Sequence, residues 1–241
     1  MEKASDSMHT NQYSLSIRFS SDGFSLSVND ENDALISSKK ISASLFSLSE
    51  KDISLLLTKE TETKLVFRSI RLICNLDNYT FVPEPLFSPA EASDLLYFQK
   101  KTEKNEHVLY NNVPSWNMVN IFSIPVELQK AISNIFPESA IEHHLSYLVT
   151  EQIKTRTGSS LHIFVRSKIM DTVVISKGVL TLVNSFVYTT PEDFTYYTLN
   201  LFEQLALDTE NCGVYLYSQD KMTEYINNLQ KYIKSCESIK I

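Results

Sequence analysis

The sequence predicts an α/β protein built from two related halves. Three observations point there. Near the start, apolar and polar residues alternate on both sides of an Asp-Gly turn, the pattern of a β-hairpin. The same order of elements returns from Ser160 onward. After each hairpin, helices announced by capping residues alternate with strands, which builds mixed sheets flanked by helices.

In the first half, Tyr13, Leu15, Ile17 and Phe19 alternate with Ser14, Ser16 and Arg18. Ser21-Asp22-Gly23 makes the turn, and Phe24, Leu26 and Val28 alternate with serines on the return. The frequent serines read as solvent-facing strand positions. A third strand is expected near Ala34 to Ala43. Ser49-Glu50-Lys51-Asp52 has the form of a capping box and leads into Ile53, Leu55, Leu56 and Leu57 of a helix. A strand from Lys64 to Cys74 follows, carrying Leu65, Phe67, Ile70 and Leu72. Tyr79 to Val82 is extended and stops at Pro83 and Pro85. Ser88-Pro89-Ala90-Glu91 supplies a cap, an N1 proline and an acidic first turn for a helix through Leu95, Leu96 and Gln99 to about Lys101. His107 to Val113 and Trp116 to Ile124 form a further strand pair. Pro125 opens a helix with Val126, Leu128 and Ile132 inward. Another helix is expected over His144 to Thr155.

The second half repeats the opening. Ser160-Leu161-His162-Ile163-Phe164-Val165 echoes Ser14-Leu15-Ser16-Ile17-Arg18-Phe19. Val173 and Ile175 echo Leu26 and Val28, and Lys177-Gly178 turns into a third strand, Val179 to Tyr188. Thr190-Pro191-Glu192-Asp193 caps a helix carrying Phe194, Tyr197, Leu201 and Leu205. Val214 to Tyr217 is a short strand and Met222 to Ile233 a final helix. The shared order favours duplication over a chance echo of two hairpins. We place the first core at residues 1–115, a region completing it at 116–158, and a shorter second subdomain at 159–241.

Composition excludes several classes of function. The 241 residues include only 4 glycines, against about 7% in average proteins. Gly23, Gly158, Gly178 and Gly213 stand alone, so no glycine-rich phosphate cradle exists. The net charge is -7, and the basic residues are scattered, with pairs such as Lys39-Lys40 and Lys100-Lys101 as the longest runs. Nucleic acid and anionic membrane are therefore poor partners. Cys74, Cys212 and Cys236 are too far apart for a zinc ribbon and odd in number for a disulfide framework. The polar first dozen residues show no signal peptide, and no apolar run approaches the ~20 residues that span a bilayer. These features imply a cytoplasmic location.

Three strands followed by helix, strand and helix, given twice, resembles the actin-like ATPase superfamily, in which two RNase H-like subdomains flank a nucleotide cleft. More narrowly, Asn184-Ser185-Phe186 followed by Thr190-Pro191-Glu192-Asp193-Phe194-Thr195-Tyr196-Tyr197 resembles a bacterial family known mainly as a domain of unknown function with an actin-like fold. The stretch from Ser160 to Tyr217 carries this match best. The resemblance implies a fold and little about activity.

In members that bind ATP, the nucleotide lies between two glycine-bearing hairpin turns and an adenine-side loop. The resemblance assigns these positions to Ser21, Asp22 and Gly23, to Arg166, Ser167 and Lys168, and to Tyr217 and Ser218. The first turn should read Asp-x-Gly, but here the aspartate is one residue late. The second has neither aspartate nor glycine, and the adenine loop lacks its paired glycines. Bulky turn residues deny phosphate oxygens a close backbone approach. The missing carboxylates would have held magnesium through water. We read a cleft that has lost its nucleotide, so no cofactor is expected. Taken alone, Ser21 to Gly23 reads as a plain hairpin turn. Arg166, Ser167 and Lys168 read either as a solvated turn or as a small basic spot for an anion or a partner carboxylate.

Other chemistry finds little support. On a helix, the adjacent His143 and His144 point about 100° apart and cannot share a metal. One of them is expected to pack at the seam between the halves. His107 and His162 lie on strands without a ligand pattern. No nucleophile elbow exists, and the first strand of each half lacks the aspartate of an RNase H-like nuclease. Glu192 and Asp193 are explained by the helix dipole. The cluster Phe186, Tyr188, Phe194, Tyr196 and Tyr197 reads as core, or as a partner patch if one of Tyr196 and Tyr197 is exposed. The sequence favours a non-catalytic scaffold that holds a protein partner. The alternative is an enzyme with a divergent nucleotide or phosphometabolite site in the same cleft. Oligomeric state is not encoded in any feature of the sequence.

Overall fold

The computed structural model describes residues 12–59, 67–98, 105–153, 158–218 and 220–240. The chain divides into two compact units, Met1–Tyr147 and Leu148–Ile241. Unit 1 opens with strands β1 (Ser14–Ser20), β2 (Gly23–Asn29) and β3 (Leu35–Ser42), then helix α1 (Glu50–Lys59) and strand β4 (Ser69–Asn75). Strand β5 (Tyr79–Pro83), helix α2 (Ala92–Tyr97) and strands β6 (Glu106–Val113) and β7 (Met118–Pro125) follow. Helix α3 (Val126–Ile135), strand β8 (Ile141–His143) and the single turn α4 (His144–Tyr147) complete it.

Unit 2 begins with a π-helical turn, Leu148–Gln152. It continues through strands β9 (Ser160–Arg166), β10 (Ile169–Ser176) and β11 (Val179–Val187), helix α5 (Pro191–Gln204), strand β12 (Gly213–Ser218), helix α6 (Thr223–Leu229) and strand β13 (Cys236–Lys240).

Each unit carries one five-stranded mixed sheet. The orders are β3-β2-β1-β4-β8 and β11-β10-β9-β12-β13, the same in both. In each, the first three strands are antiparallel and the fourth and fifth join parallel to the first. This is the RNase H-like arrangement. Unit 1 adds a second sheet, β5-β7-β6, inserted between β4 and β8. The expected echo falls in register. Leu15 and Leu161, then Ile17 and Ile163, occupy equivalent places on the central strands.

Alternation along β1 and β2 sends Leu15, Ile17, Phe19, Phe24, Leu26 and Val28 into one core with Ile53 and Leu57 of α1 and Leu128, Ala131 and Ile132 of α3. Leu161, Ile163, Val214 and Leu216 build the matching core of unit 2 against Phe194, Leu201 and Phe202 of α5. Each buried aliphatic or aromatic side chain contributes about 1.5–3 kcal/mol. Exposed ion pairs such as Lys40–Asp22, 66% exposed on both sides, contribute at most about 1 kcal/mol. Sheet-to-helix burial therefore decides the fold.

Both strong capping boxes form. Asp52 N–H donates to Ser49 Oγ (3.3 Å) while Asp52 Oδ2 accepts from the Ser49 backbone and hydroxyl. Thr190 and Asp193 make the same reciprocal cap on α5. Other expectations are corrected. Ser88 makes no side-chain cap, and Pro89–Glu91 forms a one-turn 3-10 helix that leads into α2. α2 ends at Tyr97, and the expected continuation over Gln99 to Lys101 lies outside the described residues, as does Leu65. The helix expected from His144 lasts one turn before the π-helical turn, and the preceding Ile141–His143 is a strand. The rest of that expected helix, residues 154–155, lies outside the described residues. The final helix ends at Leu229, and Cys236–Lys240 is an additional parallel strand.

Gly23 is fixed by packing. Its φ of 139° is a left-handed value, and an added Cβ would overlap the Ile41 carbonyl oxygen on β3. Gly158 also has positive φ, but nothing lies within 4 Å of the space a Cβ would fill. Urea unfolding should therefore find Gly23→Ala destabilised by about 3 kcal/mol or more. Gly158→Ala should lose only about 1 kcal/mol.

Candidate functional site

The first turn, Ser21-Asp22, closes the β1–β2 hairpin between Ser20 and Gly23. The exposed Asp22 is held by local partners. Ser20 Oγ donates to Asp22 Oδ1 at 2.6 Å, and Lys40 Nζ donates to Oδ2 at 3.2 Å. The Ser20 hydroxyl and then Lys40 hold the Asp22 carboxyl below its ordinary value. Its backbone carbonyl accepts from Ala43 N–H, 3.0 Å. The carboxylate and backbone of the turn are thus engaged by β1, β3 and the residue after β3.

The second turn, Ser167-Lys168, joins β9 to β10 in unit 2, with Arg166 opposite Ile169. Ser167 carries the left-handed conformation, φ 54°. Arg166 turns away from the bend. Its Nε and Nη2 donate to Asp171 Oδ2 and Oδ1 at 2.6 and 3.2 Å. Asp171 is fully buried, and Ser185 Oγ donates to it at 2.5 Å. The loop is also tied to the end of β11. Tyr188 N–H donates to Lys168 O (2.9 Å) and the Tyr188 hydroxyl to Ser167 O (3.3 Å).

At the end of β12, Tyr217 stacks on Phe164 at 4.3 Å, and its hydroxyl lies 3.1 Å from His162 Nδ1. Burial raises the Tyr217 phenol. Ser218 Oγ accepts from Asp220 N–H at 3.1 Å. Gln219 lies outside the described residues. Within unit 2, Tyr217 therefore faces Phe164 on β9, two residues before Arg166.

The chain contains polar groupings that sequence reasoning missed. Glu106 Oε2 accepts from Tyr97 (2.6 Å), Ser123 (2.8 Å) and Asn78 (3.0 Å). Burial and the nearby Glu106 push the Tyr97 phenol up to about 12. This cluster borders an open cavity of about 980 Å³ in unit 1, lined also by Ser21, Phe46, Asp77 and Glu127. No sequence spacing links Asn78, Tyr97, Glu106 and Ser123, which come from β6, β7, α2 and the loop after β4. His143 and His144 straddle the β8–α4 junction instead of sharing a helix, and both are buried. Their ring nitrogens lie 2.9 and 3.2 Å from the Leu76 and Cys74 carbonyl oxygens. Among the described residues no group of three or more His, Cys, Asp or Glu side chains is placed to hold a metal.

Residues 2–236 match the family described as protein of unknown function (DUF3822). The chain belongs to the DUF3822 family. A Bacteroides thetaiotaomicron structure, described as having an actin-like ATPase fold and unknown function, is similar to this DUF3822 chain. The two share 28% identity over 97% of this chain and 93% of that one, with a TM-score of 0.83. The PilM-PilN type IV pilus biogenesis complex is also similar, at 12% identity and a TM-score of 0.55, covering 94% of this chain and 88% of that one. No curated protein matches. The DUF3822 chain thus has an actin-like ATPase fold. Among its described residues no helix is long and apolar enough to cross a membrane.

Two measurements test the packing of these positions. Arg166→Ala strands the buried Asp171 charge, and chemical denaturation should register a loss of about 3 kcal/mol. His162 sits between Ser160 Oγ (3.0 Å) and Tyr217, and burial lowers it to about 4 from an ordinary 6.5. The unfolded chain therefore takes up this proton first as pH falls. The stability from a neutral His162 is complete above pH 6.5 and is lost as pH drops toward 4, by about 3 kcal/mol in full. The slope of stability between about pH 6.5 and 4 should flatten in His162→Asn by roughly one proton.

Proposed function

We propose that this chain is a protein-interaction module on an actin-like frame, with turn positions that no longer hold a triphosphate. The observation that carries the reading is the engagement of the turns by internal partners. Arg166 is committed to the buried Asp171, and Asp22 to Ser20 and Lys40. A phosphate would have to displace an ion pair in one turn and meet a carboxylate in the other. Gly23, the residue that most resembles a phosphate grip, has a sufficient reason to be glycine in the nearby Ile41 carbonyl.

Two further points support a protein partner. Tyr196 is 65% exposed, and its ring lies 5.6 Å from Tyr197, which stacks on Phe186 at 5.0 Å. These rings form an aromatic patch of the kind that marks interfaces. A structure sharing the fold is that of the PilM-PilN complex, so the frame is compatible with holding protein. The rival reading is an enzyme with a divergent nucleotide or phosphometabolite site, and the turn residue Ser21 borders an open cavity of unit 1. Asp77, Glu106 and Glu127 line that cavity, and their carboxylates oppose a phosphate.

The test is thermal unfolding with millimolar Mg·ATP, Mg·ADP and Mg·GTP. The expected result is no saturable shift. A specific site at a hundredfold over its dissociation constant would add about 2.7 kcal/mol, and a saturable rise of that size would overturn the proposal.

A further inference from the structure

The face of the unit 1 sheet opposite α1 and α3 carries two arginines that converge on Tyr147 of α4. Arg18 on β1 and Arg71 on β4 place their Cζ atoms 5.9 and 4.9 Å from the Tyr147 ring centroid. Neither makes a hydrogen bond or an ion pair among the described residues. Guanidiniums stack readily on aromatic faces, and stacking leaves their in-plane N–H donors unused. Each guanidinium has five such donors, in a fork that matches an oxyanion. Arg18 is half-buried, and buried charges are normally paired. Burial lowers its pKa, the Tyr147 phenol opposes that shift, Arg71 adds to it and Glu142 opposes it. Two guanidiniums share this face with the Glu142 carboxylate, and the pair of cations keeps in-plane donors that suit an oxyanion.

The surroundings fit a small ligand. Ser25 lies beside Arg18 and Ser16 beside Arg71 in strand register, on the same face, so hydroxyl donors flank both guanidiniums. Arg71 also borders an open groove of about 680 Å³, lined by Ser69, Tyr110, Asn112, Glu138 and Glu142. The two groove carboxylates oppose an extended polyanion and restrict the site to a single oxyanion group.

We propose that Arg18, Arg71 and Tyr147 form a binding site for one oxyanion, a phosphate or carboxylate group of a small molecule, on the polar face of β1 and β4. The site lies on a strand face and uses none of the turn residues.

The test is titration of the whole chain with inorganic phosphate and, separately, with succinate at constant ionic strength. Binding is read by calorimetry and by the Nε–H signals of Arg18 and Arg71 in nitrogen-15 spectra. The expected result is saturable binding of one or both anions, with both arginine signals moving. Phosphate binding alone would assign a phosphoryl ligand, and succinate binding alone a carboxylate. Arg71→Gln and Tyr147→Leu should each weaken binding tenfold or more. Lys231→Gln, at an exposed position of unit 2, should match wild type. The proposal fails if neither anion binds saturably in wild type. It also fails if binding persists unchanged in Arg71→Gln, or if the arginine signals stay still while another region responds.

Discussion

The structure depends on the central strand of each five-stranded sheet. β1 and β9 each pair antiparallel with the following strand on one side and parallel with the fourth strand on the other. That double pairing fixes their register, and a slip of one residue would turn every apolar side chain to the wrong face. With register fixed, Leu15, Ile17 and Phe19 meet α1 and α3, while Leu161 and Ile163 meet α5. The other face of each central strand is then left to polar and aromatic groups. Arg18 takes one such place in unit 1, and His162 and Phe164 take two in unit 2. The same register delivers both hairpin turns to the carboxyl ends of the central strands.

Much of the frame was legible in the sequence because it is governed by local rules. Period-two alternation around Ser21 to Gly23 and reciprocal caps at Ser49 and Thr190 act over a few residues. The echo between Ser14 and Ser160 survived because both residues begin a central strand under the same packing demand. Short edge strands were invisible. Ile141–His143 spans one apolar residue, and Cys236–Lys240 alternates too briefly to differ from a loop. Both are parallel additions whose stability comes from a distant neighbour, β4 or β12, and no local pattern encodes that.

The candidate site was less legible. Residue types set the turns apart from the phosphate pattern that the resemblance implies, but they could not announce which partners those side chains meet. Arg166 reaches Asp171 only because a two-residue hairpin folds β10 back along β9. Asp22 reaches Lys40 only because β3 closes beside the turn. Arg18 and Arg71 are separated by more than fifty residues and meet over Tyr147 through parallel strand pairing. Contacts of this kind are properties of topology. The chemistry of the chain is therefore better read from pairs of strands than from spacing along one.

These contacts support one account of the molecule: an actin-like frame in which internal hydrogen bonds and ion pairs occupy the groups that a triphosphate would need. The most direct test follows the backbone amides of both turns in nitrogen-15 spectra during titration with Mg·ATP. The account predicts that the amides of Asp22, Gly23, Ser167 and Lys168 keep their positions to saturating nucleotide. Saturable movement of both turns with a single dissociation constant would contradict it.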